Sequence, residues 1–252
     1  MSLLRLRQAF AARKVLVTYL MAGDGGVDAS VAALVACARA GADVLELGFP
    51  FSDPIADGRV IQAAGARALA LQVTLDTVFD VARRVRRQVD VPVVLMGYLN
   101  PVLTFGVARF VATCASSGVE GIIIPDLPPE EAGELCAAAR AHDVGTIFML
   151  APTSTLERER AVLAASTGFI YFVSVTGVTG TRAGVPDIEA HVERLRSSSR
   201  VPVAVGFGIS TPEQATALAA FADGVIVGSA LVERHARGES LTSFVSSLRA
   251  AL

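Results

Sequence analysis

Short runs of apolar residues alternate with longer segments of mixed character along the whole chain of 252 residues. The short runs are apolar at successive positions, as in strands buried on both faces of a parallel sheet. They predict eight strands, at 15–21, 44–48, 92–98, 121–125, 145–150, 169–174, 202–206 and 224–227. The second of them, Val-Leu-Glu-Leu-Gly, is distinctive because a carboxylate, Glu46, stands in its middle.

The longer segments have apolar residues at helical spacing. They predict helices after the strands, at 29–40, 75–89, 107–117, 130–142, 156–166, 188–198, 212–221 and 241–252. Two further helices are expected, one at 3–12 before the first strand and a short one at 60–71, in the long connection after the second strand. Side chains suited to capping a helix N-terminus stand at several of these boundaries, namely Asp28, Thr74, Thr104, Thr155, Asp187 and Thr211.

Eight strands, each followed by a helix, favour an α/β fold in which a parallel sheet closes into a (β/α)8 or TIM barrel. One such domain would span residues 1–252, with the helix at 3–12 covering the bottom of the barrel. The alternative is an open doubly wound sheet, which usually carries a GxGxxG turn after its first strand. The sequence AGDGG at 22–26 lacks that spacing, so we favour the closed barrel.

Acidic residues gather at the end of the second strand, and the carboxyl ends of the strands are where such barrels hold their chemistry. Glu46 alternates with Leu45 and Leu47, so we expect it to point into the barrel mouth. An apolar surrounding there would raise its pKa and suit it to proton transfer near neutral pH. Asp53 and Asp57 follow in the next loop.

Each of these acids also has an ordinary structural explanation. Glu46 could be a structural glutamate held in a salt bridge, Asp57 could cap the helix after Gly58, and Asp53 could start a turn with Pro54. Glycine-rich segments follow the last two strands, GFGIS at 206–210 and GSA at 228–230. Together they predict a phosphate site, because glycine lets backbone N–H groups approach an anion closely.

Composition narrows the possible functions. The net charge of −2 argues against nucleic acid as a ligand. No apolar run reaches the roughly 18 residues that span a bilayer, and the N-terminus does not resemble a signal peptide, so we expect a cytoplasmic protein. The mean hydropathy of +0.54 suggests a fully buried sheet together with a surface that a partner covers. The three cysteines are expected to be small buried residues.

The chain lacks residues that several classes of enzyme need for catalysis. The single lysine, Lys14, precedes the first strand and so lies at the wrong end of the barrel for Schiff-base or pyridoxal phosphate chemistry. The three histidines have no metal-ligand spacing, and none is expected in the barrel mouth. Acid–base catalysis by carboxylates on a phosphorylated substrate is what these exclusions leave.

Six motifs closely resemble those of the tryptophan synthase alpha chain family, in the same order and over essentially the whole chain. They are LELGFPFSDPIADG (45–58), GYLNP (97–101), IIIPDLPPEE (122–131), GVTGTR (177–182), GFGIS (206–210) and VGSALV (227–232). The resemblance implies a (β/α)8 barrel that cleaves indole-3-glycerol phosphate to indole and glyceraldehyde 3-phosphate. It also implies that the chain itself needs no metal or cofactor.

The resemblance also implies roles for individual residues. Glu46 would be the catalytic acid–base, and Asp57 would hold the indole N–H. Tyr171 would line the site, while Thr179 would close a lid, roughly residues 177–186, over the substrate. The phosphate would be received by Gly180, Phe207, Gly208, Gly228 and Ser229, and the indole by an apolar pocket of Tyr19, Ile61, Met96 and Ile123. Arg59 departs from the family pattern, which usually has proline there, and Tyr19 stands in place of the usual phenylalanine.

The implied partner is the tryptophan synthase beta chain, which carries pyridoxal phosphate, in an alpha2-beta2 heterotetramer. Five residues would face it or lie nearby, namely Pro50, Asp53, Ile55, Asn100 and Pro101. Two alternatives stay open on the sequence. One is a free-standing indole-3-glycerol phosphate lyase that is active without a partner, and the other is a non-catalytic phosphate-binding barrel.

Overall fold

A computed structural model describes residues 2–173, 188–206 and 208–252. Eight parallel strands form a closed barrel, each paired with its neighbours in chain order and the first with the last. The strands are β1 (Val15–Met21), β2 (Val44–Gly48), β3 (Val93–Met96), β4 (Gly121–Ile123), β5 (Gly145–Leu150), β6 (Ile170–Val173), β7 (Val203–Gly206) and β8 (Gly224–Val227). The predicted TIM barrel is therefore confirmed.

Helices surround the sheet and connect its strands. They are α1 (Ser2–Ala12), α2 (Val27–Arg39), α3 (Arg59–Ala70), α4 (Leu75–Arg86), α5 (Leu99–Phe105), α6 (Val107–Ser116), α7 (Gly133–Ala141), α8 (Leu156–Ala165), α9 (Ile188–Ser198), α10 (Pro212–Ala219), α11 (Ser229–Ala236) and α12 (Leu241–Ala250). Both helices expected beyond the regular set are present, as α1 and α3. None of the described helices is both long and apolar enough to cross a membrane.

The N-caps of the helices show where the local sequence was sufficient to predict a helix start. Thr74, Thr155 and Thr211 accept a backbone N–H from the first turn of α4, α8 and α10, as predicted. Two predicted caps are wrong. Asp28 lies inside the first turn of α2, which begins after Gly26, and Thr104 lies inside α5, where its hydroxyl donates to the Asn100 carbonyl. Asp187 falls outside the described residues.

The helix α5 was not predicted as a separate element. The helix α5 has only seven residues, with Pro101 in its first turn, and proline there removes no helical hydrogen bond. Gly106, with φ +91, ends α5 and starts α6, so two short helices follow where one was expected. Asp126 accepts the N–H of Leu99 at 2.9 Å and so fixes the start of α5.

The core has two layers. Inward-facing residues of the lower barrel pack together, and α1 closes this end by inserting Leu6, which is fully buried, and packing Phe10 against Phe169 at 5.3 Å between ring centroids. Outward-facing strand residues pack against the helices in a larger cluster that includes Leu45 and Leu47. The interior of the barrel is thus packed at its lower end, and a cavity remains at its upper end.

The bottom rim repeats one arrangement four times. Within each pair β1–β2, β3–β4, β5–β6 and β7–β8, a side chain just before the second strand accepts an N–H at the start of the first. The four acceptors are Asp43, Glu120, Thr167 and Asp223, which stand against Leu16, Val93, Thr146 and Val203 at 2.8, 2.7, 2.9 and 2.9 Å. Asp43, Glu120 and Asp223 accept through carboxylates, whereas Thr167 accepts through a hydroxyl, so one of the four positions lacks a negative charge.

Candidate functional site

The upper end of the barrel contains a cavity of about 280 Å³, close to the lower end of the ~300–1,000 Å³ range typical of small-molecule sites. Side chains from six strand ends and two helices line it. They include Tyr19, Glu46, Asp57, Ile61, Met96, Met149, Tyr171, Gly208, Ile226, Gly228, Ser229 and Glu233. The acids of the second strand and the glycines of the last two connections, far apart in sequence, therefore share one cavity.

Glu46 is the most unusual group in this cavity. It is paired in register between Tyr19 on β1 and Val94 on β3 and is only 1% exposed. Neither carboxylate oxygen has a hydrogen-bond partner among the described residues, so the salt-bridge explanation finds no partner there. Burial, reinforced by the nearby charge of Asp57, raises the pKa of Glu46 to about 8. At neutral pH this carboxyl group holds a proton that it can deliver.

Asp57 lies half-buried on the loop that follows β2. Burial raises its pKa to about 6, although a hydrogen bond from the Tyr98 hydroxyl opposes the shift. The loop is held from both sides, because the Ala56 N–H donates to the Tyr98 hydroxyl at 3.0 Å and the Gln62 amide donates to the Asp57 carbonyl at 2.9 Å. The helix α3 begins after Gly58 without a side-chain cap, so the Asp57 carboxylate is not used as a cap.

Two buried tyrosines flank the carboxylates. Burial and the charges of Glu46 and Asp57 raise the pKa of Tyr19 and of Tyr171 well above the usual value, so both phenols keep their protons. Glycines make room for these rings, since a Cβ at Gly206 would meet the Tyr171 hydroxyl. Each hydroxyl is therefore a hydrogen-bond donor inside the cavity.

The apolar wall differs in part from the expected pocket. Ile61 and Met96 line the cavity, whereas Ile123 is fully buried among the inward-facing strand residues and does not line it. Met149 and Ile226 line the cavity and were missed. Their signal was available, because each stands at an inward position of a strand whose residues alternate between the two faces.

Backbone groups of the connections after β7 and β8 form another part of the cavity wall. Gly208 has φ +74, a left-handed conformation that favours glycine. Gly228 immediately precedes α11, and Ser229 is the first residue of that helix. The only charged residues that line the cavity in the described part of the chain are acids, namely Glu46, Asp57 and Glu233. Any anion bound here must therefore be received by N–H groups and the positive end of α11 rather than by a cation from this set.

Several predicted site residues fall outside the described part of the chain. They are Thr179, Gly180 and Phe207, together with the lid expected at 177–186.

A buried brace joins the two halves of the site and was missed from the sequence. Asp24, 2% exposed on the connection after β1, accepts two hydrogen bonds from the Arg67 guanidinium, both at 2.7 Å. The Asp24 carbonyl lies 2.9 Å from the His235 ring. Arg67 belongs to α3, which follows Asp57, and His235 belongs to α11. Asp24 therefore ties the helix after the acidic loop to the helix at the anion-binding end.

The rim next to the acidic loop exposes apolar side chains. Ile55 is 85% exposed and Leu103 on α5 is 56% exposed. Asp53 and Asn100 are also exposed and Pro101 is half-buried, whereas Pro50 is buried within the chain. Four of the five residues expected to face a partner are thus accessible, and Leu103 adds a large apolar side chain to that rim.

Lys14 and the histidines take structural positions. The Lys14 ammonium donates to the Ala222 carbonyl at 2.6 Å, at the closed end of the barrel. His191 is buried 2.7 Å from the Glu159 carboxylate, which Arg194 also binds. None of these groups lines the cavity.

Comparison with known proteins agrees with this geometry. The family model described as tryptophan synthase alpha chain matches residues 6–249. The tryptophan synthase alpha chain of Geobacter sulfurreducens is 50% identical over 247 residues, which cover 95% of this chain and 94% of that one. That of Alkalilimnicola ehrlichii is 52% identical over 228 residues, covering 90% and 83%. The crystal structure of the alpha subunit from Legionella pneumophila superposes with a TM-score of 0.90 at 36% identity, over 98% of this chain and 97% of that one. This chain belongs to the tryptophan synthase alpha chain family, a family of lyases.

Proposed function

We propose that this chain cleaves indole-3-glycerol phosphate to indole and glyceraldehyde 3-phosphate, with Glu46 as the acid–base group. The observation that carries the proposal is the Glu46 carboxyl, which lines the cavity, is buried, has no hydrogen-bond partner among the described residues and has a pKa raised to about 8. A structural glutamate would be paired, and a group without a function would not be kept at this energetic cost.

The reaction needs two proton movements around one carbon–carbon bond. Glu46 gives its proton to C3 of the indole, which leaves an iminium at the ring nitrogen. The electrons of the bond between C3 and the glycerol carbon then return to the ring, and the hydroxyl on that glycerol carbon becomes the aldehyde. The hydroxyl proton returns to the Glu46 carboxylate, so the catalyst ends as it began and no lysine or metal is required.

Asp57 supports the charge that develops in this sequence. Its carboxylate would accept the indole N–H and stabilise the positive nitrogen after C3 is protonated. With a pKa of about 6, it is mostly ionised at neutral pH while Glu46 is mostly protonated. Two carboxyl groups in one cavity thus have different roles because burial affects Glu46 more strongly.

Substrate orientation follows from the two ends of the cavity. The indole would lie against Tyr19, Ile61 and Met96, and the phosphate would bind at Gly208, Gly228 and Ser229 through backbone N–H groups. Gly180 and Phe207 are assigned to the same phosphate on the family resemblance alone. So is the role of Thr179 in closing the lid.

We also propose that the rim around Ile55 and Leu103 binds the tryptophan synthase beta chain in a cytoplasmic alpha2-beta2 complex. Ile55 and Leu103 present apolar surface that water would otherwise cover, on the same side of the barrel as the cavity. Pyridoxal phosphate would belong to that partner, and this chain would use no cofactor of its own. Indole could then pass to the partner without reaching solvent.

Indole release from indole-3-glycerol phosphate, measured with and without a beta chain, tests both proposals. We expect slow cleavage by the chain alone and a large increase when the beta chain is added. Turnover that the beta chain leaves unchanged would instead favour the free-standing lyase. Binding of the substrate without any indole release in either assay would favour a non-catalytic phosphate-binding barrel and overturn the proposed chemistry.

A further inference from the structure

We propose that the closed end of the barrel carries a second anion site, for a small diphosphate-type anion, at Arg7, Arg160 and Arg200. These residues line one open depression of about 1170 Å³ between α1, α8 and the connection after α9. The site lies at the N-terminal ends of the strands, opposite the catalytic cavity, and none of its lining residues belongs to that cavity.

The bottom rim repeats one hydrogen-bond arrangement at four positions. At three of the four equivalent positions a carboxylate is present, and arginines converge on it. Asp43 binds Arg13 and Arg249 at 2.6 and 2.5 Å. Glu120 lies 3.3 Å from Arg5 and 3.9 Å from Arg86, and Asp223 lies 2.7 Å from Arg196. In each case the anion at the rim is supplied by the chain itself.

At the fourth position Thr167 replaces the carboxylate, and the local charge is unbalanced. Arg7 reaches this position, and within the described part of the chain it donates one hydrogen bond, to the Thr167 carbonyl at 3.3 Å. Arg160 and Arg200 line the same depression, and no carboxylate pairs with either among the described residues. Asp223 is the only acid among the described residues of the lining, and it already forms an ion pair with Arg196. The wall also includes Ser166, whose buried hydroxyl has no partner among the described residues.

The chemistry of the lining selects the ligand class. Guanidinium groups bind phosphate oxygens in pairs, and several of them around one open depression suit an anion with more than one charge. An added anion would replace the missing fourth carboxylate, and the repulsion among three arginines would become attraction to it. Free pyrophosphate and a diphosphate ester share this chemistry.

Titration of the whole chain with inorganic pyrophosphate tests the site, with amide chemical shifts and calorimetry as the measurements. We expect saturable shifts at the amides of Thr167 and Gly168. Affinity there should fall about tenfold or more in the double variant Arg160→Gln/Arg200→Gln, because two charge-assisted contacts are lost. The same variant should keep its rate of indole release, since neither residue lines the catalytic cavity.

The matched control is Arg39→Gln/Arg87→Gln, which removes the same charge from two exposed arginines outside the depression. Equal weakening in both double variants would mean nonspecific attraction and would overturn the proposal. So would shifts confined to Gly208, Gly228 and Ser229, because pyrophosphate would then bind only in the catalytic cavity. A parallel titration with ADP identifies the source, since tighter binding of ADP than of pyrophosphate at Thr167 and Gly168 would indicate an esterified ligand.

Discussion

Carboxylates stand at both ends of this barrel, but their surroundings are opposite. At the closed end Asp43 accepts hydrogen bonds from Arg13, Arg249 and the backbone N–H of Leu16. At the open end Glu46 is more deeply buried, and neither of its oxygens has a partner among the described residues. The closed end satisfies its charges, whereas the open end leaves a carboxyl group unsatisfied beside a cavity.

This difference separates stability from chemistry. A buried carboxylate with several donors holds together the elements that supply them, and its removal leaves those donors unpaired. A buried carboxyl without donors favours its neutral form and destabilises the fold once it ionises, but it is ready to exchange a proton. The two ends of the barrel should therefore respond in opposite ways to the same substitution.

The largest effect is expected at Glu46. Replacing it by glutamine keeps the shape but removes the exchangeable proton, so indole release should fall roughly 10³-fold or more. Binding of a phosphate-bearing substrate analogue should persist, because the anion-binding end of the cavity is unchanged. A rate within a few fold of the original protein would remove Glu46 from the mechanism.

The second comparison replaces one aspartate by asparagine at each end of the barrel. Asp57→Asn should lower kcat about 10²-fold, on the scale of a lost electrostatic contact in the transition state. It should not lower stability, and should if anything raise it, because burial raises the pKa of Asp57 and so disfavours its charged form. Asp43→Asn should lower the free energy of unfolding by about 3 kcal/mol, because Arg249 and Arg13 lose their anion, and should leave kcat unchanged. Steady-state kinetics and urea unfolding on both variants provide the measurements. Parallel losses of activity and stability in both would contradict the separation of the two ends.

The sequence predicted the open end better than the closed end. The apolar runs predicted β1, β2, β5 and β8 with their observed bounds. The position of Glu46 between two leucines indicated that its side chain points into the barrel. These are local patterns. The pairing of Asp43 with Arg249, or of Asp24 with Arg67, joins residues distant in the chain, and nothing in either segment identifies its partner.

The same reason explains why the pocket wall was only partly predicted. Ile123 and Met96 are paired in register on β4 and β3, yet of the two only Met96 lines the cavity. The outline of the cavity depends on side chains from many distant segments, which no single segment encodes. Thr104 was predicted to cap the N-terminus of the next helix, but that helix, α6, begins after Gly106, two residues later. Local capping rules cannot choose between two adjacent boundaries.

The pH dependence of stability is a third way to compare the ends. The pKa of Glu46 is raised from 4.5 to about 8 by folding, so its carboxyl group costs nothing below pH 4.5, where it is protonated in both states. The cost grows as pH rises between these values and is constant above pH 8. Glu46→Gln should therefore gain stability relative to the original protein by about 3 kcal/mol at pH 7, compared with pH 4.5. Urea unfolding at several pH values measures this, and a difference that does not vary with pH would show that Glu46 ionises normally.

The smallest effect is expected from the brace between the two halves of the site. Arg67→Lys keeps the charge but cannot reproduce the paired hydrogen bonds to Asp24, so α3 should shift slightly, and with it Ile61 and the loop of Asp57. Since small displacements of a catalytic group reduce the rate steeply, kcat/KM should fall about tenfold.

Arg84→Lys is the matched control for this variant, because Arg84 pairs with Asp28, a carboxylate that is 90% exposed and far from the cavity lining. Exposed pairs contribute little, so its kinetics should not change. An equal loss in both lysine variants would trace the effect to arginine content in general. A loss in Arg67→Lys alone would show that a satisfied carboxylate can also serve the reaction, by holding the unsatisfied ones in place.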